Sequence, residues 1–166
     1  CYMNPAGKKV LVDSGIFSEK ELESRCEVEF EKFTKKVQIE ARVLGDLAIN
    51  HIVPTAISYM NTLLGNVKGL REVFGDAEYE KMASTDKEMI ITISGHISNI
   101  RRKVHQMIEE RKKANIIEDP YDKAITYEKK VKPYLEDIRN HIDKLELIVD
   151  DEIWPLPKYR ELLFTR

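Results

Sequence analysis

Cysteine is nearly absent, with two residues in 166, Cys1 and Cys26. Two thiols without a spacing motif form neither a disulfide framework nor a zinc site, and a reducing compartment suits such a chain. Glycine and proline are also scarce, at 7 and 6, and aromatics make up only 8%. That scarcity, with 34% charged residues, disfavours a β-sandwich or a disordered chain and favours helices with solvated outer faces. No apolar run reaches 18 residues, so no membrane span is expected. No excess of one charge exists either: the formal net charge is −2 and the pI about 6.2, which implies no bulk attraction to nucleic acid or anionic lipid. The first residues, CYMNPAGKKVLVDSG, lack both an initiator methionine and the apolar core of a signal peptide. They read as the front of a piece cut from a longer protein.

What is present is helical periodicity. Residues 1–17, with Asn4-Pro5, Gly7 and Gly15, read as an irregular arm or boundary segment, with a short strand or turn near Val10–Val12. Ser18 and Glu21 have capping-box spacing. A long helix follows on the stripe Leu22, Cys26, Phe30, Phe33, Val37, Ala41, Leu44, Ala48 and Ile52, which repeats every 11 residues and therefore stays almost straight on the helix. Val28, Ile39, Val43, Leu47 and Ile49 widen it, so the second half is expected to be surrounded by neighbours. Pro54 sits inside the run and predicts a kink, because it has no N–H and its ring presses on the carbonyl of Asn50.

After Pro54 the seam becomes Ala56, Met60, Leu63, Val67, Leu70 and Phe74, with Gly75 placed to end the helix. Residues 76–84 read as a short helix or connector. Thr85 and Glu88 suggest another capping box before the stripe Ile90, Ile93, Ile97, Ile100, Val104 and Met107. Asp119-Pro120 is a helix start, and Ala124, Tyr127, Val131, Tyr134, Ile138, Ile142, Leu145 and Val149 form the last long stripe. Pro133 lies within it and predicts a second kink or a break. Lys158 to Phe164 reads as one more short helix. The fold class is thus all-α: a bundle of about four long, kinked, antiparallel helices plus a short C-terminal helix, over residues 18–166.

The catalytic motifs available to such a bundle are missing. A di-metal carboxylate site needs Glu three residues before His. The residues three before His51, His96, His105 and His141 are Ala48, Ile93, Arg102 and Ile138. Asp137 and His141, four apart, make at most a two-ligand half-site, and a solvated ion pair is the commoner explanation. No phosphate-binding glycine loop, zinc-protease motif or nucleophile elbow occurs. The basic groups Arg101–Lys103 and Arg111–Lys113 are interrupted by Glu109 and Glu110 and read as a solvated face rather than a nucleic-acid surface. Two clusters stand out for contact. One is the polar set Asp46, Asn50, His51 and Asn61 around the kink, with Thr55 and Ser58, which a packed bundle would satisfy internally. The other is the tail carrying Trp154, Tyr159, Leu163 and Phe164, which either folds back on the bundle or anchors a partner. Asp150, Asp151 and Glu152 close the last long helix with the wrong sign for its dipole, so a partner or water is expected to hold them.

The run ARVLGDLAINHIVPTAISYMNTLLGNVKGL from Ala41 resembles the C-terminal region of type III glutamine synthetases, and KLELIVDDEIWPLPKYRELLF resembles the last residues of the same family. The likeness reaches from about Ser18 to the end. It implies that the parent chain is a glutamate–ammonia ligase in the cytoplasm, using ATP and Mg2+ or Mn2+ through a γ-glutamyl phosphate, and assembling as two stacked hexameric rings. No catalytic, cofactor or metal residue of that family maps onto this segment. The resemblance implies a C-terminal helical domain whose partner is the catalytic domain of the same chain, acting in support, assembly or regulation. Two other readings stay open: a free-standing helical protein-interaction module, and a helical binder of a metal or small ligand at Pro54.

Overall fold

The computed structural model describes residues 4–163. Among them the secondary structure is helical, with no strand. The order is α1 (Pro5–Asp13), α2 (Glu19–Leu47), a π-helical turn (Ala48–Ile52), α3 (Val53–Met82), α4 (Ser84–Ile116), α5 (Pro120–Thr126), a second π turn (Tyr127–Val131), α6 (Lys132–Ile148) and α7 (Tyr159–Leu162). The all-α expectation holds. At residues 5–13, however, a helix stands where an irregular arm with a strand or turn was expected. Asn4 caps it, accepting from the Ala6 amide at 3.3 Å, with Pro5 in the first turn. This is the same Asx-Pro start signal that Asp119-Pro120 supplies to α5, where Asp119 accepts from the Asp122 amide at 2.8 Å.

The two internal prolines are accommodated in one way. Each lies two residues beyond a π turn, Pro54 after Ile52 and Pro133 after Val131. At the first turn the Val53 amide reaches back five residues to the Ala48 carbonyl, and at the second the Lys132 amide reaches the Tyr127 carbonyl. One extra residue in the turn moves the obstructing carbonyl off the proline ring, so the helix is widened rather than broken. The residues flanking both turns keep right-handed helical dihedrals. Gly75 does interrupt α3. Its φ of 71° and ψ of 179° are accessible essentially to glycine alone.

The chain divides into two compact units. The first comprises residues 1–42 and 107–133. In it Lys8 of α1 pairs with Glu19 of α2 at 2.6 Å. That ion pair raises the Lys8 pKa and lowers that of Glu19. Ser18 and Glu21 form the capping box, with the Ser18 amide donating to Glu21 at 2.9 Å and the Glu21 amide to the Ser18 hydroxyl at 3.3 Å. Leu22, Cys26, Val37 and Ala41 of α2 are buried, as are Met107 and Ala114 of α4 and Ala124, Tyr127 and Val131. Phe30 meets Tyr121 edge to face at 5.2 Å. Tyr127, fully buried, donates to Asn115 at 2.6 Å, and Gln38 donates to the same oxygen at 3.3 Å. Burial raises the Tyr127 pKa and keeps the phenol a donor.

The second unit comprises residues 43–106 and 134–166. Its core is Ala48, Ile52, Ala56, Leu63, Ile93, Ile100, Val104, Ile138 and Leu145. Ala83, fully buried, joins α3 to α4. The helix starts at Ser84, with the Lys87 amide bonded to the Ala83 carbonyl at 3.0 Å, so Thr85 lies inside the first turn and not at the cap that its spacing to Glu88 suggests. Phe74, placed in the core by its heptad position, is exposed instead, one residue before the break at Gly75.

An added Cβ at Gly65 or Gly69 meets nothing within 4 Å. Gly65→Ala and Gly69→Ala are therefore expected to stabilise the chain by up to about 1 kcal/mol each. Gly75→Ala is expected to destabilise it by about 1–3 kcal/mol through backbone strain alone. Urea denaturation of the three variants checks this contrast in sign.

Candidate functional site

The polar cluster of α2 and α3 is turned to solvent. Asp46, Asn50, His51 and Asn61 are all exposed, which corrects the premise that they form a satisfied polar core. Asn50 donates to Asp46 at 2.6 Å. The Thr55 hydroxyl donates to the His51 carbonyl at 2.9 Å, beside the proline that offers no N–H. The buried faces of the same turns are taken by Ala48, Ile52, Val53 and Ala56. The cluster is thus a surface feature at a widened turn.

The tail folds back. Trp154 is only 8% exposed and packs within its own chain. The acidic end of α6 is held from within: the Lys158 ammonium donates to the Glu146 carbonyl at 2.8 Å and to the Asp151 carboxylate. A cation placed on the last carbonyls offsets the sign mismatch at that terminus. Leu163 is exposed. Phe164 and the side chain of Tyr159 lie outside the described residues.

Two contacts cross between α4 and α6. The Nδ1 atoms of His96 and His141 are 2.9 Å apart, and Lys103 meets Asp137 at 2.6 Å. Numbers rise along one helix as they fall along the other, so the two helices are antiparallel. Asp137 therefore pairs across to Lys103, and His141 pairs with His96. Between the rungs, Ile100 and Ile138 are fully buried. One imidazole must carry its proton on Nδ1 and the other must present a bare Nδ1. Desolvation lowers both pKa values. Lys144 adds to the effect at His96; His96, Lys103 and Lys144 add to it at His141, where Asp137 opposes it. No group of three or more His, Cys, Asp or Glu side chains able to hold a metal ion occurs among the described residues. The histidine pair was not visible in sequence because helix register is not. Its only hint is that Lys103 follows His96 by two turns while Asp137 precedes His141 by one.

A third feature reverses an expectation. Val28, Ile39 and Val43 widen the apolar stripe of α2, yet they are 50%, 62% and 53% exposed. Val28 and Ile39 stand 11 residues apart, three turns along the helix and on one face. Leu47 and Ile49 are half-buried. No described helix is long and apolar enough to cross a membrane.

Residues 1–71 match the glutamine synthetase C-terminal domain family. Over 165 residues, 99% of its length, the chain is 56% identical to a glutamine synthetase of Bacteroides fragilis (strain YCH46), of which the match covers 23%. It is 29% identical over 165 residues to the type-3 glutamine synthetase of Dictyostelium discoideum, covering 95% of this chain and 22% of that one. A glutamine synthetase of Butyrivibrio fibrisolvens is 23% identical over 155 residues, covering 91% and 21%. The chain thus spans less than a quarter of the length of these relatives.

Both histidine pKa values are lowered in the folded state, so the unfolded chain binds protons first as pH falls. The pair's contribution to stability is full above about pH 6.5, the unfolded value, and is lost as pH falls through the folded values. Thermal unfolding midpoints are expected to drop between pH 7.5 and 5.5, and the double variant His96→Gln/His141→Gln should flatten that slope. In the first unit, Tyr127→Phe removes the bond to Asn115 and is expected to cost about 0.5–1.5 kcal/mol in chemical denaturation.

Proposed function

We propose that this chain, which belongs with the glutamine synthetase C-terminal domains, supports the catalytic part of a longer enzyme of that class. The parent reaction in this reading is the ATP-dependent ligation of ammonia to glutamate, carried out in the cytoplasm. ATP and divalent Mg2+ or Mn2+ are held by the part of the parent that lies outside this chain. The helical segment in this reading takes in α1 as well as residues 18–166, since Lys8 ties α1 to α2 and the family match begins at residue 1. The parent is a homo-oligomer of two stacked hexameric rings, and this segment contributes to assembly or to regulation.

The observation that carries the reading is the exposed apolar surface of α2. The sequence pattern marks Val28, Ile39 and Val43 for burial, and the described residues leave them exposed. Leaving such side chains in water forgoes about 1.5–3 kcal/mol each relative to full burial. More than three quarters of each relative's length lies outside the match, so the remainder of the parent chain is the natural cover. The exposed residues Asp46, Asn50, His51, Asn61 and Leu163 are further contact points in the same reading.

Glutamine synthesis and light scattering on the full-length enzyme test it. Truncation just before Ser18 is expected to give smaller species and lost activity. Ile39→Glu in the full-length enzyme is expected to have the same effect in weaker form, while leaving the helicity and melting of the 166-residue chain unchanged. A truncated enzyme that keeps its assembly and full activity contradicts the proposal.

A further inference from the structure

Threonines inside the helices of this chain generally return their hydroxyl to the carbonyl four residues back. Thr55, Thr92 and Thr126 do so at 2.8–2.9 Å. Thr34 does not. Its Oγ1 is the only buried side-chain polar atom without a hydrogen-bond partner among the described residues, and the residue is 8% exposed. Native proteins rarely leave such a group unmatched.

Thr34 lines a cleft of about 430 Å3 in the first unit. The cleft lies between α2 and the segment from the end of α4 into α5, and most of the side chains lining it are polar. Gln38 and Asn115 line it and are already fixed, since the Gln38 amide and the Tyr127 hydroxyl both donate to Asn115 Oδ1. That arrangement leaves the Asn115 amino group as a donor and the Gln38 carbonyl as an acceptor. Both signs of charge are present at the cleft. Lys35 shares its charge with Glu31 at 3.4 Å. Half-buried Lys123, exposed Glu118 and the Pro120 ring complete the lining.

We propose that this cleft is a binding site for a free α-amino acid. An anion alone would leave Glu118 unmatched and a cation alone would leave Lys123 unmatched. A zwitterion answers both without adding net charge. The cleft has room for a molecule of that size, and the charged and polar side chains along it favour a polar ligand over an apolar one. Lys123 takes the carboxylate and Glu118 the ammonium. The Thr34 hydroxyl, turned about its single side-chain torsion, gains the partner it lacks.

Calorimetric titration of the 166-residue chain with each of the twenty amino acids tests this, with acetate and methylammonium as carriers of one half of the zwitterion. Saturable binding of at least one amino acid is expected, with neither half-ligand saturating. Thr34→Val should weaken it about tenfold, the factor that one hydrogen bond to a charged group represents. Thr34→Ser should retain it. Lys123→Gln, at a partly exposed position, should weaken binding without altering the fold and so guards against a misfolded Thr34 variant. The natural chain binding no amino acid, Thr34→Val binding as well as the natural chain, or acetate binding as tightly as the amino acids would each overturn the proposal.

Discussion

A proline inside a helix removes one amide and pushes against the carbonyl a turn earlier, and this chain meets that constraint twice. Both times it inserts a π turn ending two residues before the proline. The solution keeps α2 running into α3 and α5 into α6. It also decides which side chains face the core. At the first turn Ala48 and Ile52 are buried while Asn50 and His51 are exposed. At the second, Tyr127 and Val131 are buried and Glu128, Lys129 and Lys130 are exposed. The polar residues around Pro54 are therefore surface groups at a place where the helix is locally wide, a setting in which π turns often serve function.

The cores of both units are built largely from the stripes that periodicity marks. Six of the nine stripe positions from Leu22 to Ile52, along α2 and the π turn after it, are buried: Leu22, Cys26, Val37, Ala41, Ala48 and Ile52. The strict three–four spacing of α4 places Ile93, Ile97, Ile100, Val104 and Met107 inside. Caps were equally legible where side-chain chemistry is local, at Ser18 with Glu21 and at Asp119 with Pro120. The start at Asn4-Pro5 carries the same chemistry but was obscured by the neighbouring Gly7, which is tolerated within α1.

What sequence does not reveal is register between helices. His96 finds His141 and Lys103 finds Asp137 only because α4 and α6 pack antiparallel in one particular register. Thr34 is unpaired for a similar reason: its surroundings are set by residues 115–123, some eighty positions away. Exposure of Val28, Ile39 and Val43 is a different kind of discrepancy. Their pattern reads as buried, yet the described residues leave them in water; in the proposed reading the remainder of a longer protein covers them. The relatives, of which this chain spans less than a quarter, supply the reason for such contacts to exist.

Site-specific thiol labelling at position 39 tests most directly whether α2 is covered in the parent enzyme. Ile39→Cys is made in the 166-residue chain and in the full-length enzyme, and its alkylation rate is followed by mass spectrometry of the peptide that contains it. Fast labelling in the chain alone and strong protection in the full-length enzyme is the predicted result. Equal rates in the two would mean that the exposed face of α2 is not where the rest of the enzyme rests.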